Sequence, residues 1–164
     1  MDYIKNPGKI EEKSFEIIQA IIDETRPDYK FSSKIEELII KRAIHTTADF
    51  DYLDILKISE GSVETIAYAL KNGATIYTDT TMRLSGINKR ILDELGVGYK
   101  CLIADQETVD LAKDKGITRS MAAVEIAARD KKDKIFIFGN APTALYKAIE
   151  MNSEGLLNAS AIIG

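Results

Sequence analysis

One histidine stands in the 164 residues of this chain, His45, inside the stretch KRAIHTTADFD that runs from Lys41 to Asp51. Imidazole changes charge near neutrality, so it suits proton transfer to or from a reacting group. Thr46, Thr47, Asp49 and Asp51 follow it closely. Taken alone, His45 leaves two readings open: a general acid, or a hydrogen-bonded histidine at the edge of the core. Three other polar stretches carry donors: DTTMRLSGI (79–87), TRSMAAVEIA (118–127) and FGNAPTAL (138–145). In the last, Gly139 permits close backbone approach, Asn140 offers amide donors and Pro142 suits a first helical turn. The N–H groups of that turn are suited to a carboxylate or phosphate. It is equally readable as an ordinary strand-to-helix turn. Arg119, beside Ser120, and Arg83, in DTTMR, can each grip a carboxylate or lie as plain surface arginines.

Several chemistries are excluded. One cysteine, Cys101 in the apolar run YKCLIA, allows no intramolecular disulfide and no cysteine-rich zinc site. No second histidine lies at ligand spacing, so no metal site is expected. GxGxxG, Walker A and GxSxG signatures are absent, which weighs against nucleotide binding and serine hydrolysis. The formal net charge is -4 and the Lys/Arg residues are scattered, which argues against nucleic acid. No apolar run approaches the roughly 20 residues that cross a bilayer, and the opening lacks a signal-peptide apolar region. A soluble cytoplasmic protein without membrane contact is the expectation.

The elements that must position these residues follow from periodicity. With 45% hydrophobic and 29% charged residues, the chain fits one folded domain over 1–164. Helices are expected over Ile10–Thr25 and from a Ser33–Glu36 capping box onward. The buried stripe of the second is read as Ile35, Leu38, Ile39 and Ala43, with His45 half-buried at its edge. That helix is expected to dissolve at Thr46-Thr47, where two β-branched residues precede an aspartate. A helix over Ser59–Asn72 closes at Gly73. Strands are expected at Ala74–Thr78, Tyr99–Ala104, Lys134–Phe138 and Ser160–Ile163. Between them lie a short helix in DTTMRLSGI and helices over Ile87–Leu95, Asp105–Lys115, Thr118–Ala128 and up to about Met151. Short apolar strands alternating with helices predict an α/β fold: a three-layer, doubly wound, mostly parallel sheet after a helical N-terminal segment. In such a sheet ligands bind beyond the carboxyl ends of the strands, where DTTMR and GNAPT lie.

Together, IHTTADFD, DTTMRLSGI, TRSMAAVEIA and FGNAPTAL resemble the precorrin-8X (cobalt-precorrin-8) methylmutase family of cobalamin biosynthesis. The similarity runs in the family's order from the YIKNPGKIEEKSF opening to the end. The resemblance implies an α/β homodimer and an isomerase that moves a methyl group from ring carbon 11 to ring carbon 12 of the macrocycle. The product is hydrogenobyrinic acid or, if the substrate carries cobalt, cobyrinic acid; which of the two stays open. No cofactor is implied, and any cobalt belongs to the substrate. His45 matches the family's catalytic histidine and would be the general acid. Arg119, Ser120, Asn140 and Thr143 would contact the substrate's carboxylate arms or ring, with Ser14 in KSF a further contact. Thr46, Thr80 and Arg83 complete the substrate-binding set. Arg119 would serve a site shared across the dimer. The family continues past the matching end with a further strand and helix that this chain is expected to lack. The alternative reading is a corrinoid-binding protein without catalysis.

Overall fold

A computed structural model describes residues 4–164, so Tyr3 of the YIKNPGKIEEKSF opening lies outside the described residues. Contacts divide the chain into two compact units, Met1–Ser59 and Glu60–Gly164.

The first unit is helical. Helix α1 (Pro7–Thr25) begins earlier than the sequence suggests: Asn6 caps it by accepting from the Lys9 amide at 3.1 Å, and Pro7 takes the first turn, where its missing N–H costs nothing. Helix α2 (Lys34–Thr47) opens on the expected capping box: Ser33 accepts from the Glu36 amide, and the Glu36 carboxylate accepts from Ser32 N. A short α3 (Tyr52–Ile55) follows. Ile18, Ile22, Ile40, Ile44 and Leu53 form this unit's core.

Two expectations about α2 are corrected. Its buried residues are Ile40, Lys41 and Ile44, whereas Ile35, Leu38 and Ile39 are more than a third exposed. The run Leu38-Ile39-Ile40 presents apolar side chains all round the helix, and the one facing Ile18 and Ile22 of α1 is buried. The helix also passes through Thr46 and Thr47 instead of dissolving there. Each hydroxyl donates to the carbonyl one turn back, Thr46 to Arg42 at 2.9 Å and Thr47 to Ala43 at 2.8 Å, which lets both residues stay helical. The helix ends at Ala48, whose φ of 57° is left-handed.

The second unit is a three-layer α/β fold. Its elements are α4 (Ser62–Lys71), β1 (Thr75–Thr78), α5 (Thr81–Gly86), α6 (Lys89–Glu94), β2 (Gly98–Lys100), α7 (Gln106–Lys115), α8 (Arg119–Ala128), β3 (Lys134–Ile137), α9 (Pro142–Ser153) and β4 (Ala159–Ile163). The four strands are parallel in the order β2-β1-β3-β4. Alternation along each strand splits the apolar side chains between two faces. Tyr77 and Phe136 pack with Val124 and Ala127 of α8 and Ala144, Ala148 and Met151 of α9. Ile76 and Ile135 pack with Ala69 of α4 and Leu92 of α6 on the other face. The strand expected over Tyr99–Ala104 is shorter, because Cys101–Ala104 leaves the sheet.

The order places a switch point between β1 and β3: from β1 the chain crosses to β2 on one side and later to β3 on the other. In open parallel sheets that is where the loops part and a crevice opens. Asp79 follows β1 there and Gly139 follows β3.

Candidate active site

Asp79 organises the crevice. Its side chain is fully buried, and Oδ2 accepts three consecutive backbone N–H groups: Gly139 at 3.0 Å, Asn140 at 2.7 Å and Ala141 at 2.9 Å. Burial pushes the carboxyl pKa up, but these three donors and the Arg83 guanidinium outweigh it and hold the group below the usual carboxylate range. Asp79 therefore stays ionised at neutral pH, and its stabilisation of the fold fades only as acid protonates it. The loop that leads into α9, where the sequence offered the first helical turn to an external anion, thus already holds the chain's own carboxylate on the Gly139, Asn140 and Ala141 amides. An incoming anion must be met by side chains.

Those side chains stand close by. Thr80, Met82, Arg83, Gly86, Ile87, Ile137, Gly139 and Asn140 line a cleft of about 600 Å³ at the carboxyl ends of β1 and β3. Thr80 also caps α5, accepting from the Arg83 amide at 3.3 Å. The Arg83 guanidinium lies against Gly139 so closely that a Cβ there would fall 1.3 Å from Nη2. Its Nε sits 3.9 Å from the second Asp79 oxygen.

A second donor group forms where α8 and α9 begin. The hydroxyls of Thr118, Ser120 and Thr143 make a triangle, with Thr118–Ser120 at 3.1 Å, Thr118–Thr143 at 3.3 Å and Ser120–Thr143 at 3.4 Å. Ser120 and Thr143 are contacts that the resemblance implies; Thr118 joins them here and also caps α8, accepting from the Met121 amide at 3.2 Å. Arg119 is exposed at the first position of α8, and among the described residues its guanidinium has no hydrogen-bond or ion-pair partner. Asn140 is likewise exposed.

Ser14, His45 and Thr46 belong to the first unit. His45 lies in the last turn of α2 and is exposed rather than half-buried, because the buried face of the helix is the Ile40–Ile44 side. Its ring meets Phe15 edge-on, with centroids 6.0 Å apart at 70°. Arg42 covers Phe15 at 5.3 Å and forks onto Glu11 at 2.9 and 2.6 Å, and that hydrogen-bonded pair lowers the Glu11 pKa. Ser14 is half-buried on α1, and the exposed Thr46 hydroxyl donates to its helix carbonyl. Sequence reasoning singled out Gly139 for close backbone approach but missed Asp79, the carboxylate around which the Gly139 loop closes. The available signal was an acid placed directly after a fully buried strand. Among the described residues no group of three or more His, Cys, Asp or Glu side chains is arranged to hold a metal ion, and no helix is long and apolar enough to cross a membrane.

Comparison with known proteins identifies this architecture. The chain is 54% identical over its whole length to the cobalt-precorrin-8 methylmutase of Salmonella typhimurium, covering 77% of that protein. It is 36% identical to the cobalt-precorrin-8 methylmutase of Methanothermobacter thermautotrophicus, covering 95% of this chain and 70% of that one. A crystal structure of precorrin-8X methyl mutase from Thermus thermophilus superposes with a TM-score of 0.77 at 35% identity, over 94% of this chain and 72% of that one. The family model described as precorrin-8X methylmutase matches residues 9–164. The chain belongs to the precorrin-8X methylmutase family.

Proposed function

We propose that this methylmutase acts on cobalt-precorrin-8, moving a methyl group from ring carbon 11 to ring carbon 12 to give cobyrinic acid, with His45 as the general acid. The single observation that supports this reading is the gathering of donors beyond the carboxyl ends of the inner strands: Arg83 and Asn140 on the cleft, and the Thr118–Ser120–Thr143 hydroxyls where two helices begin. A macrocycle fringed with acetate and propionate arms calls for many separate carboxylate contacts, and hydroxyl, amide and guanidinium donors supply them. The full-length relative named for the cobalt-bearing substrate favours that form over the metal-free one. The relatives are named as mutases, so binding without catalysis is not favoured.

In the reaction the protein's task is to hold the ring and move one proton. Carboxylate contacts to Arg119, Ser120, Asn140 and Thr143 fix the macrocycle, with Ser14, Thr46, Thr80 and Arg83 as further contacts. Protonation of the conjugated system by His45 then assists the shift of the methyl group, after which the proton returns and the composition is unchanged. The enzyme adds no cofactor of its own, and cobalt travels with the substrate. The working form is a homodimer in which Arg119 serves the partner's site.

Arg119→Ala should raise the KM for cobalt-precorrin-8 about tenfold or more, the worth of one charge-assisted hydrogen bond, with kcat little changed. Mixing Arg119→Ala with His45→Ala protomers should recover turnover at low substrate that neither shows alone, because one mixed site regains both residues. An unchanged KM contradicts the contact. Mixing without recovery, under conditions where subunits exchange, contradicts the shared site.

A further inference from the structure

The cleft beside β1 and β3 contains an arrangement that substrate contact alone does not explain. Asp79 is charged and wholly enclosed, it satisfies three amides with one oxygen, and its other oxygen is buried with no hydrogen-bond partner. The nearest cation is the Arg83 guanidinium, at 3.9 Å and 41% exposed on its outer side. Gly139 does not adopt a left-handed φ, so its lack of a side chain is needed for space, and Arg83 fills that space.

We propose that Asp79 is the positioning residue of this cleft. One oxygen fills the nest of the Gly139, Asn140 and Ala141 amides, and the other supplies the charge that keeps the Arg83 guanidinium against Gly139. Arg83 is thereby presented, already oriented, to a carboxylate arm of the substrate. Two consequences follow. The nest is closed to any incoming anion, so an anion that enters the cleft is met by the Arg83 side chain instead. Holding the guanidinium in place before binding also removes the cost of ordering a long flexible side chain when the ligand arrives. The proposal rests on the reading that a substrate carboxylate meets Arg83.

The test compares Gly139→Ala, Asp79→Asn, Arg83→Ala and the Gly139→Ala/Arg83→Ala double variant, measuring KM and kcat with cobalt-precorrin-8 and the thermal midpoint of each. The three atoms nearest the added methyl of Gly139→Ala all belong to the far end of the flexible Arg83 side chain, so the substitution should evict the guanidinium while the fold stays intact. Gly139→Ala and Asp79→Asn should each raise KM about tenfold, with a much smaller change in kcat; Gly139→Ala should stay folded with a modest fall in thermal midpoint, because the three amides still hold the Asp79 charge. The double variant should be no worse than Arg83→Ala alone, since both changes remove one contact. An unchanged KM in Arg83→Ala overturns the reading of the cleft itself. A raised KM in Arg83→Ala with wild-type KM in Gly139→Ala or in folded Asp79→Asn overturns the positioning role alone. Failure of Asp79→Asn to fold would assign Asp79 to the fold and overturn its positioning role, and additive losses in the double variant would overturn the part played by Gly139.

Discussion

Replacing His45 with alanine is expected to lower kcat by about 10²- to 10⁴-fold, the usual worth of a positioned general acid. Binding of cobalt-precorrin-8 should be largely preserved, because the carboxylate arms are held by other residues. The side chain is exposed in the last turn of α2, and its ring meets Phe15 edge-on. Its loss leaves no cavity and no orphaned buried partner, so the thermal midpoint should hardly move. That separation makes the variant informative: a fall in rate at constant stability and constant affinity isolates proton transfer. Absorbance changes of the corrinoid report turnover, and titration of the same chromophore reports binding. Equal turnover by variant and wild type would remove His45 from the chemistry.

The largest effect on stability is expected at Phe136, in the middle of β3. It is 2% exposed and stacks with Tyr77 at 5.4 Å and Phe138 at 5.7 Å. Its ring lies in the core that joins the sheet to α8 and α9. Phe136→Ala therefore removes a buried aromatic and leaves a void, and should cost about 3–5 kcal/mol. The helix starts that carry Ser120 and Thr143 depend on the same layer, so the variant should lose activity through unfolding, and chemical denaturation should show the midpoint falling steeply. A change below about 1 kcal/mol would mean that this core collapses to fill the space.

Much of this was legible in the sequence because local signals agree with the tertiary fold. The runs around Thr75–Thr78 and Lys134–Ile137 are short, apolar and β-branched or aromatic, as strands buried on both faces must be, and glycines close the neighbouring helices. Arg83 and Asn140 could be picked out because they follow strands, where a parallel sheet opens to a ligand, whereas Ser120 and Thr143 were marked as contacts only by the family resemblance of their motifs. Other features needed three dimensions. In α2, three consecutive apolar residues leave the angle of the buried stripe undetermined until α1 selects Ile40 and Ile44. Thr46 and Thr47 have poor helix propensity, yet their hydroxyls close onto their own helix. Asp79 looked like the first residue of a loop, and only the folded sheet shows its carboxylate seated on amides sixty residues away in sequence. The Gly139 loop left two readings open, an anion cradle and an ordinary strand-to-helix turn, and in the folded chain its amides hold an anion that is part of the chain itself.

The most direct test of the central claim is conversion of cobalt-precorrin-8 carrying an isotopic label in the methyl group at ring carbon 11, incubated with the wild-type protein alone and followed by carbon NMR. The account predicts a product of unchanged mass with the label on ring carbon 12. Tight binding of the labelled corrinoid with the methyl group left on carbon 11 would contradict it.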